Sequence, residues 1–411
     1  MTLHILALET SSSVCGVALL SQHGGQISVR ATQHDATGEH AQRLLPMVDE
    51  LLTQAGISRR QLAAVAFGQG PGGFTGLRVS CGVAQGIGFA LDIPVIPVIS
   101  LLAVAARDDV SAHVETPLQV IVQDARMGEV YLAAYQAEGD AALGWRELQE
   151  PVLLDALDVP RWVADAMAAW CVGMENGTAV RVTGDALTAY PGMTGALGKI
   201  PSVEVGAALR PDAETIARLA LLAWHNGDGI APDLAAPLYV RDKVAYTTLE
   251  RASGQGGNPK ADVPPTFIVD MIAAHVDDVV AIEQSVQAFP WTRGNFVDGL
   301  QAGYGAWVAM QSGRVAGFCM VMFAPDVAHV LVLAVSPSAQ KKGIGAQLLA
   351  RCEREARVRG LPALMLEVRP SNRNALAFYR HLGFVLLSMR KDYYPAGLLE
   401  REDACVMEKR L

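Results

Sequence analysis

A break in the hydrophobic pattern divides this chain into two unequal parts. The segment ERASGQGGNPKADVPP, from Glu250 to Pro265, is rich in Gly, Pro and polar residues and has no apolar period. Such a composition is typical of a linker. It predicts a domain over residues 1–249, a linker over 250–265 and a second domain over 266–411. No internal repeat spans the linker, so two different folds are expected.

The first part alternates between strand and helix signals. The apolar runs Leu3–Leu8 and Val14–Leu20 read as paired strands, and Glu39–Ala55 and Leu77–Ala90 as helices. Alternation of this kind predicts an α/β fold. After the linker the pattern restarts with strands, a long helix over Gly343–Arg359 and two closing strands, which indicates a second mixed-sheet α+β domain.

Composition argues against several classes of function. The chain is 51% hydrophobic, is 18% charged and carries a net charge of −9. The hydrophobic and charged shares favour globular domains with buried cores. The negative net charge argues against direct binding to nucleic-acid phosphates, so a role with RNA would be indirect. The six cysteines form no C-x-x-C pair, which leaves zinc and redox motifs without support. Neither a signal peptide nor an apolar run of membrane-spanning length is visible, so a cytoplasmic protein with no membrane partner is expected.

The segment LVLAVSPSAQKKGIGAQLL places a glycine loop between a strand and a helix. Exposed amides at such a helix start form a cradle for phosphate, and Lys341 and Lys342 add positive charge beside it. A Gly-x-Gly turn before a helix also has many purely structural uses.

The wider context is more specific, because Q-x-x-G-x-G is followed by a helix, a strand and N-x-x-A-x-x-x-Y. This arrangement resembles the GNAT family of N-acetyltransferases over about Thr266–Leu411. The resemblance implies acetyl-CoA as a substrate, with the coenzyme pyrophosphate on the loop and its pantetheine arm along the preceding strand. The implied strand-end residues are Leu333, Ala334 and Val335. The implied loop residues are Lys341, Lys342, Gly343, Ile344, Gly345 and Ala346.

LEVRPSNRNALAFYRHLGF, followed by RKDYYP and REDA, resembles the RimI family, which acetylates ribosomal-protein N-termini. The resemblance implies Glu367 as base, Tyr379 as acid and Asn372 as a coenzyme contact. A peptide α-amine with a pKa near ~8 must lose a proton before it attacks a thioester, and a departing thiolate must gain one. Without the resemblance, Glu367 reads as a solvated strand residue and Tyr379 as core. Val327 stands where an acidic residue is expected, which leaves peptide selectivity open.

The acyl acceptor has alternatives. The second domain could instead acetylate other protein N-termini, lysines or a small amine. The expected acceptor is the N-terminal alanine of a ribosomal protein.

ILALETSSSVCGVAL resembles the first hairpin of the actin-like ATPase superfamily, which has a ribonuclease H-like fold. Together with EHAQRLLPMV, GPGGFTGLRVS and PLYVRDKVA it resembles the TsaB family. The resemblance implies a non-catalytic scaffold for the TsaD transferase in tRNA threonylcarbamoyladenosine biosynthesis. Contact is expected through the helices near 39–55 and 77–90, with a homodimer as a second possibility. Only His40 remains of the H-x-x-x-H of the catalytic relative, so no metal is expected.

Overall fold

The computed structural model of the chain describes residues 2–35, 38–108, 118–137, 144–170, 180–240, 265–396 and 400–411. They form two compact units, one built from residues before the predicted linker and one from residue 265 onward, together with 168–170. The linker, except for its last residue, lies outside the described residues. The exact domain limits therefore stay a prediction.

Two five-stranded sheets make up the first unit, and they share one topology. In each, the first three strands form an antiparallel meander, and the fourth and fifth extend the sheet in parallel from the first strand. The orders are β3-β2-β1-β4-β5 and β8-β7-β6-β9-β10. The strands are β1 Leu3–Glu9, β2 Val14–His23, β3 Gln26–Asp35, β4 Ala64–Gly70, β5 Val95–Ile99, β6 Leu118–Arg126, β7 Glu129–Ala137, β8 Trp145–Asp155, β9 Val180–Thr183 and β10 Val203–Val205.

The helices of the first unit are α1 His40–Ala55, α2 Phe74–Leu91, α3 Ser100–Arg107, α4 Val159–Trp170, α5 Ala186–Ala189, α6 Pro191–Leu197 and α7 Ala213–Asn226. Asp212 caps α7, because its Oδ1 accepts the amide of Thr215 at 2.7 Å. Gly56, at φ 67°, closes α1 in the left-handed conformation. Helix α2 begins three residues before the predicted Leu77, since the end of the glycine loop forms its first turn.

The apolar run of β1 is explained by burial on both sheet faces. Leu6 and Leu8 pack in a cluster with α1 and α2, whereas Ile5 and Ala7 pack in a second cluster with α7. Alternate side chains of a strand point to opposite faces, so a strand covered on both sides becomes apolar throughout.

The second unit is a seven-stranded sheet with the order β11-β12-β13-β14-β15-β17-β16. All neighbours are antiparallel except β14 and β15. Its strands and helices are β11 Phe267–Asp270, α8 Val276–Val286, α9 Arg293–Gln301, β12 Gly305–Gln311, β13 Arg314–Phe323, β14 Ala328–Val335, α10 Ile344–Val358, β15 Ala363–Val368, α11 Arg373–His381, β16 Val385–Pro395 and β17 Arg401–Arg410.

The core of this unit lies between the sheet and α10. Leu348, Leu349 and Cys352 of α10 are fully buried against side chains of β12 to β15. The predicted mixed α/β architecture is thus confirmed in both units. Within the described ranges, no helix is long and apolar enough to cross a membrane.

Candidate functional site

The loop after β14 has the backbone geometry that an anion site requires. Gly343 is the N-cap of α10 at φ 83°, and Lys341 is left-handed as well at φ 61°. No side chain caps the first amides of α10, so the amides of Ile344, Gly345 and Ala346 have no intrahelical acceptor. Lys341 and Lys342 are exposed beside them. These donors and charges fit a pyrophosphate.

Close packing also explains why residue 345 is a glycine. A Cβ at this position would lie 3.1 Å from Cζ of Phe378 on α11. The start of α10 and the side of α11 therefore approach closely. Asn372 is the N-cap of α11, and its Oδ1 accepts the amide of Ala375 at 3.1 Å. The structure thus gives Asn372 a local structural role, and its contact with a coenzyme stays a prediction.

Strands β14 and β15 diverge after a short parallel ladder. The paired residues end at Val330 and Leu366, whereas β14 stays paired with β13 through Val335. Leu331 is the extra residue of a β-bulge against β13. No strand of the described chain pairs with the open side of 331–335. This fork, which includes the predicted Leu333, Ala334 and Val335, can receive an extended molecule that bonds to the backbone.

Glu367 lies on β15 beside this fork, with a side chain only 6% exposed. One carboxylate oxygen, Oε2, contacts Nε2 of His329 on β14. The other, Oε1, lies 2.9 Å from Nη1 of Arg390 on β16. Neither His329 nor Arg390 was among the predicted site residues. Strand alternation alone would place His329 with Leu333, but the β-bulge at Leu331 puts the two side chains on opposite faces of the sheet, so no sequence pattern singled out His329.

Burial and pairing oppose one another at Glu367. Burial raises the pKa of its carboxyl, but the hydrogen bond from His329 and the charge of Arg390 outweigh that effect and leave the pKa below its usual value. Glu367 is therefore ionised at neutral pH and can accept a proton, either directly or through water.

Tyr379 is a buried residue of α11. Its ring contacts those of Phe378 and Phe384, with centroids 5.3 and 5.6 Å away. Burial, with smaller contributions from Cys319 and Tyr394, raises the pKa of its phenol well above the usual value. The phenol is thus fully protonated at neutral pH and has a proton to donate.

Side chains of the β16–β17 hairpin extend the site. Arg369 stacks on Tyr394, with Cζ 4.3 Å from the ring centroid. Glu402 accepts hydrogen bonds from Arg369 at 3.2 Å and from the amide of Ser371 at 2.8 Å. Asp403 accepts the amide of Asp392 at 3.0 Å. Because both acidic residues have partners within the chain, they hold this hairpin in shape.

The glycine loop of the first unit closes over the first hairpin. A Cβ at Gly76 would lie 1.9 Å from the carbonyl oxygen of Thr10, and one at Gly72 would lie 2.3 Å from that of Ser11. The hydroxyl of Thr10 in turn donates to the carbonyl of Gly76 at 2.7 Å. Only glycine permits this approach. Next to the loop, His40 is buried on α1.

The outer face of α2 includes two exposed glycines. We call Thr75, Arg78, Gly82, Gly86 and Phe89 the α2 stripe; all five are exposed, and their spacing is that of one helix face. A Cβ at Gly82 or Gly86 would meet nothing within 4 Å. Neither glycine is therefore needed for packing inside this unit.

Comparison with known proteins supports the same division of the chain. Residues 29–146 match the family model described as TsaD, tRNA N6-adenosine threonylcarbamoyltransferase. A tRNA threonylcarbamoyladenosine biosynthesis protein, TsaB of Escherichia coli (strain K12), is 31% identical over 247 residues, 60% of this chain and 98% of that protein. The first part of the chain belongs to the TsaB family.

The second part matches different proteins. Residues 276–384 match the model of the acetyltransferase (GNAT) family. The [ribosomal protein bS18]-alanine N-acetyltransferase of the same Escherichia coli strain is 38% identical over 126 residues, 31% of this chain and 84% of that enzyme. This part belongs to the RimI family of GNAT enzymes, so the chain is an N-acetyltransferase. The predicted fusion of a TsaB-like domain and a RimI-like domain is confirmed.

The two-part architecture recurs in a relative. An uncharacterised protein of Mycobacterium leprae (strain TN) is 30% identical over 405 residues, 96% of each chain. The fold class is also confirmed: a TsaB-like α/β domain precedes a GNAT domain.

Proposed function

We propose that the second domain, residues 266–411, acetylates the N-terminal alanine of a ribosomal protein. The observation that carries the proposal is the fork between β14 and β15, with uncapped amides at its end and an ionised carboxylate at its side. The acceptor follows from the Escherichia coli relative, a [ribosomal protein bS18]-alanine N-acetyltransferase. When bound, acetyl-CoA supplies the acetyl thioester.

The chain's own residues bind and orient the two substrates. The loop residues Lys341 to Ala346 hold the pyrophosphate through amides and charge. The backbone of Leu333 to Val335 aligns an extended acyl donor and can polarise its carbonyl oxygen. Asn372 flanks the start of α11 on the coenzyme side. This positioning provides much of the rate acceleration without a covalent enzyme intermediate.

Acetyl transfer also requires two proton transfers. Glu367 accepts the proton that the α-amine must lose, because its carboxylate is ionised and lies beside the fork. Tyr379 holds the proton for the departing thiolate, because burial keeps its phenol protonated.

A peptide assay tests the acceptor. The full chain is incubated with acetyl-CoA and a peptide that begins with alanine and contains one internal lysine, and the modified residue is located by mass spectrometry. Acetylation of the α-amine is expected, with a loss of at least ~100-fold in Glu367→Gln. Modification of the lysine, or of a small polyamine in its place, would instead support the alternative acceptors.

The first domain, residues 1–249, is proposed to be a non-catalytic scaffold for a TsaD transferase in threonylcarbamoyladenosine biosynthesis. The α2 stripe supports this role, since two exposed glycines let a second helix approach closely. Helix α1 lies beside it with Leu45 exposed. The same face could join two copies of this chain, and a cytoplasmic location follows from both assignments.

Contact of this domain with tRNA would be indirect. The net charge of −9 disfavours a phosphate-binding surface on this chain. Pull-down of the full chain with TsaD, in parallel with sedimentation of the chain alone, would distinguish the scaffold from a self-association module. Absence of binding to TsaD would contradict the scaffold role.

A further inference from the structure

His329 is the closest partner of the carboxylate at the fork. Its Nε2 contacts Oε2 of Glu367, and the two side chains are only 13% and 6% exposed. The proton transfers assigned above make no use of this imidazole. A buried contact between a histidine and the assigned base therefore needs an explanation of its own.

The place of His329 in the sheet is informative. His329 is paired with Met365 on β15, one residue before the ladder ends at Val330 and Leu366. The β-bulge at Leu331 puts Leu333 and Val335 on the α10 side of the sheet, whereas His329 shares the opposite face with Met365 and Glu367. The imidazole thus lies at the base of the fork, between the strand that would align the acyl donor and the strand that carries the base.

The partners of Glu367 differ in how firmly they are held. Arg390 reaches it from the edge strand β16, and the arginine side chain is 46% exposed. His329 comes from the interior strand β14 and is largely buried. A long exposed side chain loses more rotamer freedom on pairing and is screened by solvent. The directed bond that fixes the carboxylate is thus the one from His329.

The titratable and charged groups that face Glu367 come from two elements. His329 faces it from β14, and Arg390 and Tyr394 face it from β16. Burial also raises the pKa of Tyr394, so that phenol is neutral and offers no opposite charge. If the imidazole is removed, Arg390 is the one described charged side chain left to oppose the effect of burial on the pKa of Glu367.

We propose that His329 is a positioning residue for acetyl transfer: its Nε2–H bond fixes the carboxylate of Glu367 in place beside the fork. The inference rests on the proposed role of Glu367 as base. His329 itself does not touch the reacting atoms. The Nε2–H tautomer is the one that a carboxylate partner selects.

The experiment compares His329→Ala with His329→Gln in the full chain, because the amide nitrogen of Gln can replace Nε2 as a donor. We measure kcat and KM from pH 5 to 9 with acetyl-CoA and the alanine peptide. In His329→Ala, kcat should fall ~10–100-fold while the KM for acetyl-CoA changes less than ~3-fold. Its low-pH break should move upward, because the pKa of Glu367 rises when burial is less opposed. His329→Gln should recover most of kcat.

His381→Ala is the matched control, since His381 is exposed at the end of α11; its kcat should match that of wild type. Thermal unfolding of each variant shows whether it is folded. If both His329 variants keep the wild-type kcat and pH profile, the inference is overturned and the acetyltransferase proposal stands. If the wild-type chain does not acetylate the peptide, the proposed function fails and the inference fails with it.

Discussion

Burial opposes the role of Glu367 as a base and favours a protonated Tyr379. It raises the pKa of both groups, but Glu367 has His329 and Arg390 to offset the effect, whereas Tyr379 has no such partner. One group therefore stays charged and the other stays neutral at the same pH. Opposed environments of this kind are how one site supplies both a base and an acid.

Tyr379→Phe tests the acid. Among the described residues, no hydrogen bond to this hydroxyl is found, so its removal should change the free energy of unfolding by less than ~1 kcal/mol. We expect kcat to fall ~100-fold or more, because a general acid typically contributes 10²–10⁴-fold. Steady-state kinetics and thermal unfolding provide the two readings. Tyr304→Phe, which changes a tyrosine outside the site, is the control; an unchanged kcat in Tyr379→Phe would remove the assignment.

At the level of secondary-structure elements, the start of α10 depends on its backbone conformation. Gly343, at φ 83°, and Gly360, at φ 68°, flank the two ends of this helix, and neither would meet a neighbour if it carried a Cβ. Changing either to Ala imposes the same left-handed strain, ~1–2 kcal/mol. The two substitutions should therefore cost similar stability.

Only Gly343→Ala should weaken acetyl-CoA binding, about tenfold, because strain relief at this end moves the amides of the cradle. Titration calorimetry on the full chain measures the affinity, and Gly360→Ala is the control. Equal affinities in the two variants would show that the cradle does not bind the coenzyme.

At the α2 stripe, we expect a substitution to weaken binding to TsaD without lowering the stability of the fold. Gly82→Lys places a better helix former in open space, so the melting temperature should stay constant or rise. Affinity for TsaD should fall at least tenfold, because a long side chain keeps a second helix away. Gly195→Lys, at an equally open glycine of α6, is the matched control. Binding of Gly82→Lys at wild-type affinity would move the interface elsewhere.

At the scale of the whole molecule, the two proposed functions rest on different residues of different units. Glu367→Gln and Gly82→Lys, each in the full chain, should therefore produce complementary defects. The first should lose peptide acetylation and keep TsaD binding, and the second should do the reverse. Activity and pull-down assays on the same preparations test this. A loss of both functions in either variant would reveal coupling between the domains.

Sequence reasoning was sufficient where the signal is local. The strand pattern of β1 and the glycine loop before α10 depend on neighbours within a few residues, and the structure confirms both predictions. Sequence reasoning was less accurate at the start of α2, because the loop and the first turn of the helix have the same glycine-rich composition.

Motifs and periodicity are properties of short segments, so the amino-acid sequence is enough to predict two domains, their fold classes and the residues that resemble an acetyltransferase. Tertiary structure alone decided that His329 and Arg390 meet Glu367, since 38 residues separate His329 from Glu367 and only the β14–β15 register joins them. It also revealed that the two sheets of the first unit share one strand order. Pairing between distant strands depends on packing across the whole sheet, and no local pattern records it.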